Sequence, residues 1–429
     1  TCSKQERARI LVCFCMQQRS SRRRPVRFRT TFHNCVRDLF EARGWVETES
    51  DADWDVAWVD KDWIRENLDA LSGGFAEHQR INHFRNHYEL TRKDNLIKNL
   101  KRTQRALLRE GLEEEAAAYD FFPGTYTLPA DYGLFVEEYK THPPNAIWIM
   151  KPVGKAQGKG IFLFNRLSEI SDWKRRSDSS SPQAENYVVQ RYIENPLLVG
   201  GKKFDLRLYV LVTSYAPLTV YMYRSGFARF SLYRYKKDSG SLGDTFVHLT
   251  NAAVQKTAPG FDVGAGSKWP LHAFKLYLVA KFGSRATDAC FAAVEQLVIH
   301  SLLSVQKIMI QDKHCFEMYG YDILIDDTLK PWLIEVNASP SISADTPTDY
   351  ELKFALLDDL YSIIDVEGKL GGALPQTMGG FDLIYANGER AQPGKPCCYT
   401  SRLGNSHVPA PEFRTSMPPL SKVKGAPQE

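Results

Sequence analysis

The sequence has no cysteine pattern that would build a metal site or a disulfide framework. No Cys-x-x-Cys pair occurs, and the eight cysteines are Cys2, Cys13, Cys15, Cys35, Cys290, Cys315, Cys397 and Cys398. Short paired spacings are typical of zinc sites, and dense, regular cysteines are typical of small secreted domains. The sequence therefore predicts neither, and it favours a reducing compartment such as the cytoplasm.

Long apolar runs and a large net charge are also missing. The longest early apolar run, residues 10–16, is far shorter than the roughly 20 residues that span a bilayer, and no small-residue cleavage pattern follows it. We therefore expect no signal peptide and no membrane partner. The formal net charge of +4 argues against nucleic acid as a partner of the whole molecule.

Positive charge is instead concentrated at the start of the chain. Residues 1–26 contain six arginines and one lysine against a single acid. We expect this basic arm to be disordered. It is either a solvated segment with no partner or an electrostatic guide toward an acidic partner.

The remaining chain divides by its periodicity and composition. We predict an N-terminal domain over 27–85, a central lobe over 86–215, a C-terminal lobe over 216–367 and a mostly disordered, Pro-rich tail over 368–429. The segment DWDVAWVD alternates like a half-buried strand, and DLRLYVLVTSY is expected to form a hairpin with LTVYMYRSGFARF. Apolar residues at helical spacing predict a helix with one buried face over 287–310.

Two predicted strands near residue 330 bring acidic side chains together. The segment DDTLK, residues 326–330, is typical of a turn, so YGYDILI and WLIEVNA should pair antiparallel. Counting outward from that turn places Asp322 opposite Glu335, and Asn337 lies on the same face as Glu335. Two carboxylates and an amide oxygen among apolar strands suit Mg²⁺ held together with substrate phosphates. A surface strand with its acids facing water is the alternative.

A row of alternating charges lies on another predicted strand. Lys203, Asp205 and Arg207 share one face, while Phe204 and Leu206 point to the other. The row is either a cross-strand salt-bridge ladder that contributes little stability, or the lining of a nucleotide cleft in which Arg207 binds phosphate.

A lysine and a glycine loop stand between two further strand-like segments. Lys151 ends the segment WIMKP, and Gln157, Gly158, Lys159 and Gly160 precede IFLF. Lysine as a point charge, with loop amides as donors, can close over a triphosphate. This is not a Walker A motif, which opens a helix. A glycine hairpin loop without a ligand is the alternative.

These features follow one another in the order of an ATP-grasp site, in which two α+β lobes close on ATP and a metal ion. The sequence also resembles the tubulin tyrosine ligase-like family from about residue 27 to residue 381. The resemblance is carried by RNHYELTRKDNLIKNLKR, WIMKPVGKAQGKGIFLF, QRYIENPLLVGGKKFDLRLYVLVTSY, GFARF, VHLTN, KHCFEMYGYDILID and PWLIEVNASPS. It implies an α/β protein of the ATP-grasp fold with a small N-terminal α/β domain.

The resemblance also implies roles for individual residues. Arg207, at the γ-phosphate, and Arg229, at the incoming amino acid, would be catalytic, while Asp322, Glu335 and Asn337 would bind Mg²⁺. The residues implied at ATP are Lys151, Gln157, Gly158, Lys159, Gly160, Gln190, Arg191, Tyr192, Ile193, Lys203, Phe204, Asp205, Thr250 and Asn251.

One departure from the family pattern concerns the amino-acid pocket. Many relatives read HLTNYS, whereas Ala252 and Ala253 follow Asn251 here. Two polar side chains are therefore missing next to the expected amino acid, and Arg229 and Lys256 would carry more of its recognition.

The implied activity is an ATP-dependent ligase that adds free L-glutamate, through an isopeptide bond, to glutamate side chains of the tubulin C-terminal tail. An acyl phosphate on the tubulin side chain would be the intermediate. Two alternatives are a tubulin glycylase of the same fold and a non-catalytic ciliary or microtubule-binding relative.

The expected partners are tubulin tails on microtubules, with accessory polyglutamylase subunits a further class. The expected locations are the cytoplasm and cytoskeleton, with the axoneme and basal body of cilia or flagella.

Overall fold

Three β-sheets with helices packed against them make up the described chain. The computed structural model describes residues 24–67, 74–170, 186–238, 240–261, 267–344, 346–391, 400–405 and 415–417. The basic arm through residue 23 and most of the tail beyond residue 391 lie outside these ranges.

The N-terminal region forms a small parallel sheet. Its elements are β1 (Arg27–Thr30), α1 (Cys35–Ala42), β2 (Val46–Glu47), β3 (Val56–Trp58), α2 (Lys61–Asn67) and β4 (Arg80–Ile81). The strands lie in the order β2-β1-β3-β4. Every residue of β3 is buried, so the prediction of a half-buried strand was wrong. Both faces of β3 are covered because Val56 and Trp58 pack into one apolar cluster and Ala57 into another.

The central region holds a four-stranded antiparallel sheet. Its elements are α3 (Tyr88–Thr91), α4 (Lys93–Arg109), α5 (Glu113–Ala117), β5 (Thr125–Leu128), α6 (Tyr132–Thr141), β6 (Trp148–Pro152), β7 (Phe162–Phe164) and β8 (Tyr187–Arg191). The strand order is β5-β8-β6-β7. Its own small core lies around Phe135, Trp148 and Val189.

The C-terminal region is built on a ten-stranded sheet. Its elements are β9 (Leu198–Val199), β10 (Lys202–Tyr215), β11 (Leu218–Tyr223), β12 (Phe227–Arg234), α7 (Thr245–His248), α8 (Ala252–Gln255), β13 (Lys268–Pro270), α9 (Leu271–Phe282), α10 (Ser284–Gln306), β14 (Glu317–Ile325), β15 (Pro331–Asn337), α11 (Pro347–Ile364), β16 (Thr377–Met378), β17 (Phe381–Ala386) and β18 (Glu389–Arg390). Strand β10 pairs with β9, β11, β12 and β14 and so forms the centre of the sheet.

One face of strand β10 is charged near the start of the strand and apolar further along, and the charged part lies at the site. On one face, Phe204, Leu206 and Leu208 pack in the core that also contains residues of α4, α9 and α10. On the other face, Tyr209 and Leu211 pack with α11 and the N-terminal sheet. Nearer the start of β10, that second face carries Lys203, Asp205 and Arg207, because successive side chains alternate.

Helix α10 has the length and apolar composition of a membrane-crossing segment, but most of it is buried inside the protein. Val294, Val298 and Leu302 lie in the main core. It is therefore a core helix, and the helix predicted over 287–310 is confirmed, with an earlier start at Ser284 and an earlier end at Gln306.

Two predicted boundaries differ from the structure. Strand β10 belongs to the large sheet, so the central lobe ends before residue 202 rather than at residue 215. The segment predicted as one partner strand does lie along a single edge of β10, opposite β14, but it is interrupted: β11 pairs with the second half of β10 and β12 with its first half. Arg224 and Gly226 lie in the connection, where a Cβ on Gly226 would be 2.4 Å from the carbonyl oxygen of Arg207.

Two described segments, at residue 24 and at residues 377–390, are more ordered than composition predicts. Residues 377–390 form three strands, because β17 buries Phe381 and Leu383 against β11. The prediction of disorder from residue 368 was wrong for this segment. In the arm, Arg24 forms ion pairs with Asp53 and Asp55, which attach residue 24 to the N-terminal domain.

Candidate active site

The acidic residues of the site lie on the β14–β15 hairpin. Asp322 pairs with Glu335 and Gly320 pairs with Asn337, so the register predicted by counting from the turn is confirmed. The Asn337 amide nitrogen lies 3.5 Å from Asp322 Oδ2 and 3.4 Å from Glu335 Oε1. The hairpin thus brings two carboxylates and one amide to a single point.

The two carboxylates have opposite electrostatic environments. Burial, followed by the nearby charge of Asp322, raises the pKa of Glu335 above its usual value. Burial would also raise the pKa of Asp322, but Arg207 and Arg229 hold it well below its usual value. Asp322 therefore stays ionised. A cation placed between the two carboxyl groups would favour the ionised form of Glu335.

Arg207 and Arg229 share Asp322 as a partner. Arg207 donates two hydrogen bonds to it, at 2.6 and 3.0 Å. Arg229 Nη2 lies 2.9 Å from Asp322 Oδ2, and its guanidinium also donates two hydrogen bonds to Asp205. The protein itself therefore supplies an anion, Asp322, between the two guanidiniums.

Lys151 is buried on β6 next to a pair of polar side chains. Its Nζ donates to Gln190 Oε1 at 2.7 Å, and Gln190 donates to Thr125 Oγ1 at 3.0 Å. Burial lowers the pKa of Lys151 to about 8, although Glu335 opposes this shift. The site therefore holds an ammonium group whose charge is costly until an anion is nearby.

Lys203 is held in a similar way on β10. Its Nζ donates to the Tyr192 hydroxyl and to the backbone carbonyl of His248, both at 2.9 Å. Burial lowers the pKa of Lys203 to about 7, against the opposing charge of Asp205. Lys203, Asp205, Lys151, Asp322 and Glu335 all line one cleft.

Six of the other predicted ATP residues line the same cleft, but Phe204 does not. The cleft is also lined by Gln190, Arg191, Tyr192, Ile193, Thr250 and Asn251. Phe204 is not on the cleft: it is fully buried and packs against Phe230 and Phe274, because it points to the opposite face of β10.

The glycine loop lies over helix α8. Gly158 has φ of +79°, and a Cβ there would be 2.7 Å from Val254 Cγ2 and 3.4 Å from Asn251 Oδ1. Only glycine adopts this backbone and this close approach without strain. Gln157 and Lys159 are exposed on the loop, which therefore spans from the central sheet to the segment that carries Asn251.

A second cavity of about 390 Å³ adjoins the cleft. Arg229, Ala252, Lys256 and Lys268 line it, and Thr250 lines both this cavity and the cleft. Ala253 lies outside this lining and is exposed. The cavity combines cations with apolar walls, which suits a small carboxylate-bearing molecule.

Two residues at the cleft were not predicted from the sequence. Lys93, at the start of α4, has its Nζ 3.7 Å from Glu335 Oε2. His248 contacts Tyr192 and contributes its carbonyl to Lys203. Lys93 lies within a quoted family stretch, RNHYELTRKDNLIKNLKR, and His248 within another, VHLTN, but no local pattern separates them from their neighbours.

The donor set fits magnesium held with phosphates. Within the described ranges, no group of three or more His, Cys, Asp or Glu side chains could hold a metal alone. Mg²⁺ is commonly bound by only one or two carboxylates together with substrate phosphates and water. Asp322, Glu335 and the Asn337 amide meet that requirement.

A mixed helix-and-sheet chain with a cleft between its central sheet and its large sheet fits an α/β, ATP-grasp-like fold. The sequence pattern of the tubulin-tyrosine ligase family matches residues 72–370. The chain is 50% identical over 403 residues to the "probable tubulin polyglutamylase TTLL9" of Bos taurus, covering 87% of this chain and 85% of that protein. It is 47% identical over 370 residues to the Caenorhabditis elegans "probable tubulin polyglutamylase ttll-9", covering 86% and 87% of the two chains. A Tetrahymena thermophila "probable alpha-tubulin polyglutamylase Ttll1" is 44% identical over 383 residues, covering 84% and 92%. The chain belongs to the tubulin-tyrosine ligase family.

Proposed function

We propose that this chain is an ATP-dependent ligase that joins glutamate to glutamate side chains in the C-terminal tail of tubulin. Family membership and the names of the similar proteins support the ligase class and the tubulin substrate. The observation that carries the proposal is the shared wall between two sites. Thr250 lines both the cleft with Lys151 and Asp322 and the cavity with Arg229.

The cleft is suited to a triphosphate because it collects several cations. Lys151 and Lys203 line it directly, and Arg207 reaches it through Asp322. Positive charge in the cleft favours a nucleotide; Lys151 and Arg207 are the groups suited to its phosphates, and Arg207 is suited to neutralise charge on a transferring phosphoryl. Mg²⁺, when bound at Asp322, Glu335 and Asn337, supplies further charge neutralisation on the phosphates.

The proposed reaction has two steps because a carboxylate does not react with an amine until its oxygen becomes a good leaving group. In the first step, the γ-carboxylate of a tubulin glutamate attacks the γ-phosphorus of ATP and releases ADP. In the second, the amine of free glutamate attacks the acyl carbon, the C–O bond breaks, and phosphate leaves as the amine loses a proton. Arg229 and Lys256 line the cavity in which the free glutamate would lie.

The proposal extends to partners and location. Tubulin tails on microtubules are the acceptor, with accessory polyglutamylase subunits as further partners. The expected places are the cytoplasm and cytoskeleton, including the axoneme and basal body of cilia or flagella. Fractionation of ciliated cells with an antibody to this chain tests the location.

The activity itself is tested with the purified chain, Mg²⁺, ATP, microtubules and isotopically labelled glutamate or glycine. Mass spectrometry of the released tails should show added glutamate, and none when ATP is left out or when Glu335→Gln replaces the wild-type chain. Transfer of glycine with glutamate ignored would establish a glycylase instead. Microtubule binding without any transfer would establish a non-catalytic relative.

A further inference from the structure

One wall of the cleft contains a buried chain of hydrogen bonds centred on His248. The Tyr192 hydroxyl lies 2.9 Å from Lys203 Nζ and 3.0 Å from His248 Nδ1. His248 Nε2 lies 3.0 Å from the backbone carbonyl oxygen of Ser241. All three side chains of this chain of bonds are buried.

The direction of each hydrogen bond follows from its partners. The Ser241 carbonyl only accepts, so His248 Nε2 carries the proton. Burial, followed by the charge of Lys203, lowers the pKa of His248 to about 4, so the ring is neutral at pH 7 and Nδ1 accepts. The Tyr192 hydroxyl therefore donates to His248 and accepts from Lys203.

With the bonds in this order, one N–H donor of Lys203 remains for a ligand in the cleft. An ammonium group has three N–H donors. Two of them reach the Tyr192 hydroxyl and the His248 carbonyl, so both groups that orient the Lys203 ammonium depend on residue 248, one through its side chain and one through its backbone. The third is available on the face where Lys203 lines the cleft.

We infer that His248 is a positioning residue for the nucleobase of the bound nucleotide. Its imidazole fixes the Tyr192 hydroxyl, and Tyr192 in turn holds the Lys203 ammonium with a donor directed at a ring-nitrogen acceptor. The apolar side chains of Ile149, Ile161 and Leu324 line the same cleft and suit a flat purine. The inference rests on the nucleotide-binding part of the proposed function and adds a residue to it.

The alternative is that His248 only holds the 241–251 segment in place. That segment includes Thr250 and Asn251, which also line the cleft, so a structural defect would disturb phosphate binding as well. Two probes separate the possibilities: a non-hydrolysable ATP analogue with Mg²⁺, and tripolyphosphate with Mg²⁺, which has no base.

Three variants of the full chain complete the experiment. His248→Phe keeps a ring in edge-to-face contact with Tyr192 and Tyr235, but it removes the acceptor. His248→Asn places an amide oxygen near the position of Nδ1 and so restores an acceptor. Tyr192→Phe removes the hydroxyl that links His248 to Lys203.

Isothermal titration calorimetry of each variant gives the result. His248→Phe and Tyr192→Phe should bind the ATP analogue about ten-fold more weakly, equivalent to about 1.4 kcal/mol, with tripolyphosphate affinity unchanged. His248→Asn should recover most of the loss. Unchanged analogue affinity in His248→Phe, or an equal loss for both probes, would overturn the inference and leave the ligase proposal standing. A wild-type chain that binds neither probe would overturn both.

Discussion

Arg207 and Asp322 are direct neighbours on strands β10 and β14, and the guanidinium donates two hydrogen bonds to the carboxylate at 2.6 and 3.0 Å. Arg229 contacts the same carboxylate at 2.9 Å. A single aspartate therefore joins the side of the cleft suited to phosphate and metal to the cavity suited to the amino acid.

The two carboxylates should differ in what their replacement does to stability. Asp322→Asn leaves two buried guanidiniums without their shared anion, so the free energy of unfolding should fall by about 3–5 kcal/mol. Glu335→Gln should cost little, because its side chain is 20% exposed and its nearest cation, Lys93, is 3.7 Å away. Urea unfolding followed by circular dichroism checks both.

The same variants should both lose ligation, because each removes a negative ligand from the proposed magnesium site. The measurement is glutamate incorporation into microtubules at saturating Mg²⁺. Near-normal incorporation by Glu335→Gln, in a chain as stable as the wild type, would remove this carboxylate from the metal site.

Arg229 should control glutamate rather than nucleotide. Arg229→Ala should raise the KM for glutamate about ten- to one-hundred-fold, because a hydrogen bond to a charged group contributes about 1.5–3 kcal/mol. It should also lower the melting temperature, since Asp205 then keeps a buried charge without its partner.

Arg229→Lys is the matched control for charge. It retains the cation but not the paired donors of a guanidinium. Its melting temperature should therefore return closer to the wild-type value than its KM for glutamate does. Steady-state kinetics with varied glutamate and calorimetry with an ATP analogue provide the two readings. An unchanged KM in Arg229→Ala would exclude a role in amino-acid recognition.

Nucleotide affinity should fall as pH rises from 7 to 9. Burial lowers the pKa of Lys203 to about 7 and that of Lys151 to about 8, so in the free protein both lose their protons within this range. A bound nucleotide favours the charged form of each lysine, through its phosphates at Lys151 and through a base nitrogen at Lys203. Binding should therefore raise both pKa values and take up protons above pH 7. Calorimetry in buffers of different ionisation enthalpy measures that proton uptake. In the Lys151→Met variant, the proton uptake centred near pH 8 should be lost. A flat affinity between pH 7 and 9 would contradict the assignment of both lysines.

The glycine loop should tolerate alanine at one position and not at another. Gly158→Ala forces a Cβ to within 2.7 Å of Val254 Cγ2 at a φ of +79°, whereas a Cβ on Gly154 would meet no atom within 4 Å. We therefore expect Gly158→Ala to raise the KM for ATP at least several-fold and Gly154→Ala to change it little. Equal KM values for the two variants would show that the close approach of the loop to α8 does not matter for ATP.

The acidic hairpin could be predicted from the sequence because its register is local. A turn of a few residues fixes which side chains of β14 and β15 oppose each other, so counting placed Asp322 opposite Glu335. The pairing of Arg229 with Asp205 could not be counted in this way, since the register against β10 shifts within β11 and again between β11 and β12. The sequence pattern does not show the size of these shifts.

Other parts of the site lay beyond sequence reasoning for related reasons. Lys93 meets Glu335 only because α4 packs near β15, and no periodicity encodes that contact. The role of His248 depends on the contacts of its two ring nitrogens with Tyr192 and Ser241, and no local sequence pattern encodes those contacts. The tail was predicted as disordered because it is rich in proline, although β17 buries Phe381, Leu383 and Ile384.

Strand β17 makes the folding unit longer than the region that defines the family. The family pattern ends at residue 370, but β11 pairs along its outer edge with Phe381 to Tyr385. A chain cut at residue 370 would expose a row of unpaired backbone amides and carbonyls beside the apolar surface that Phe381 and Leu383 now cover. Such open edges recruit other strands, so the shortened protein should self-associate even with every residue of the cleft intact.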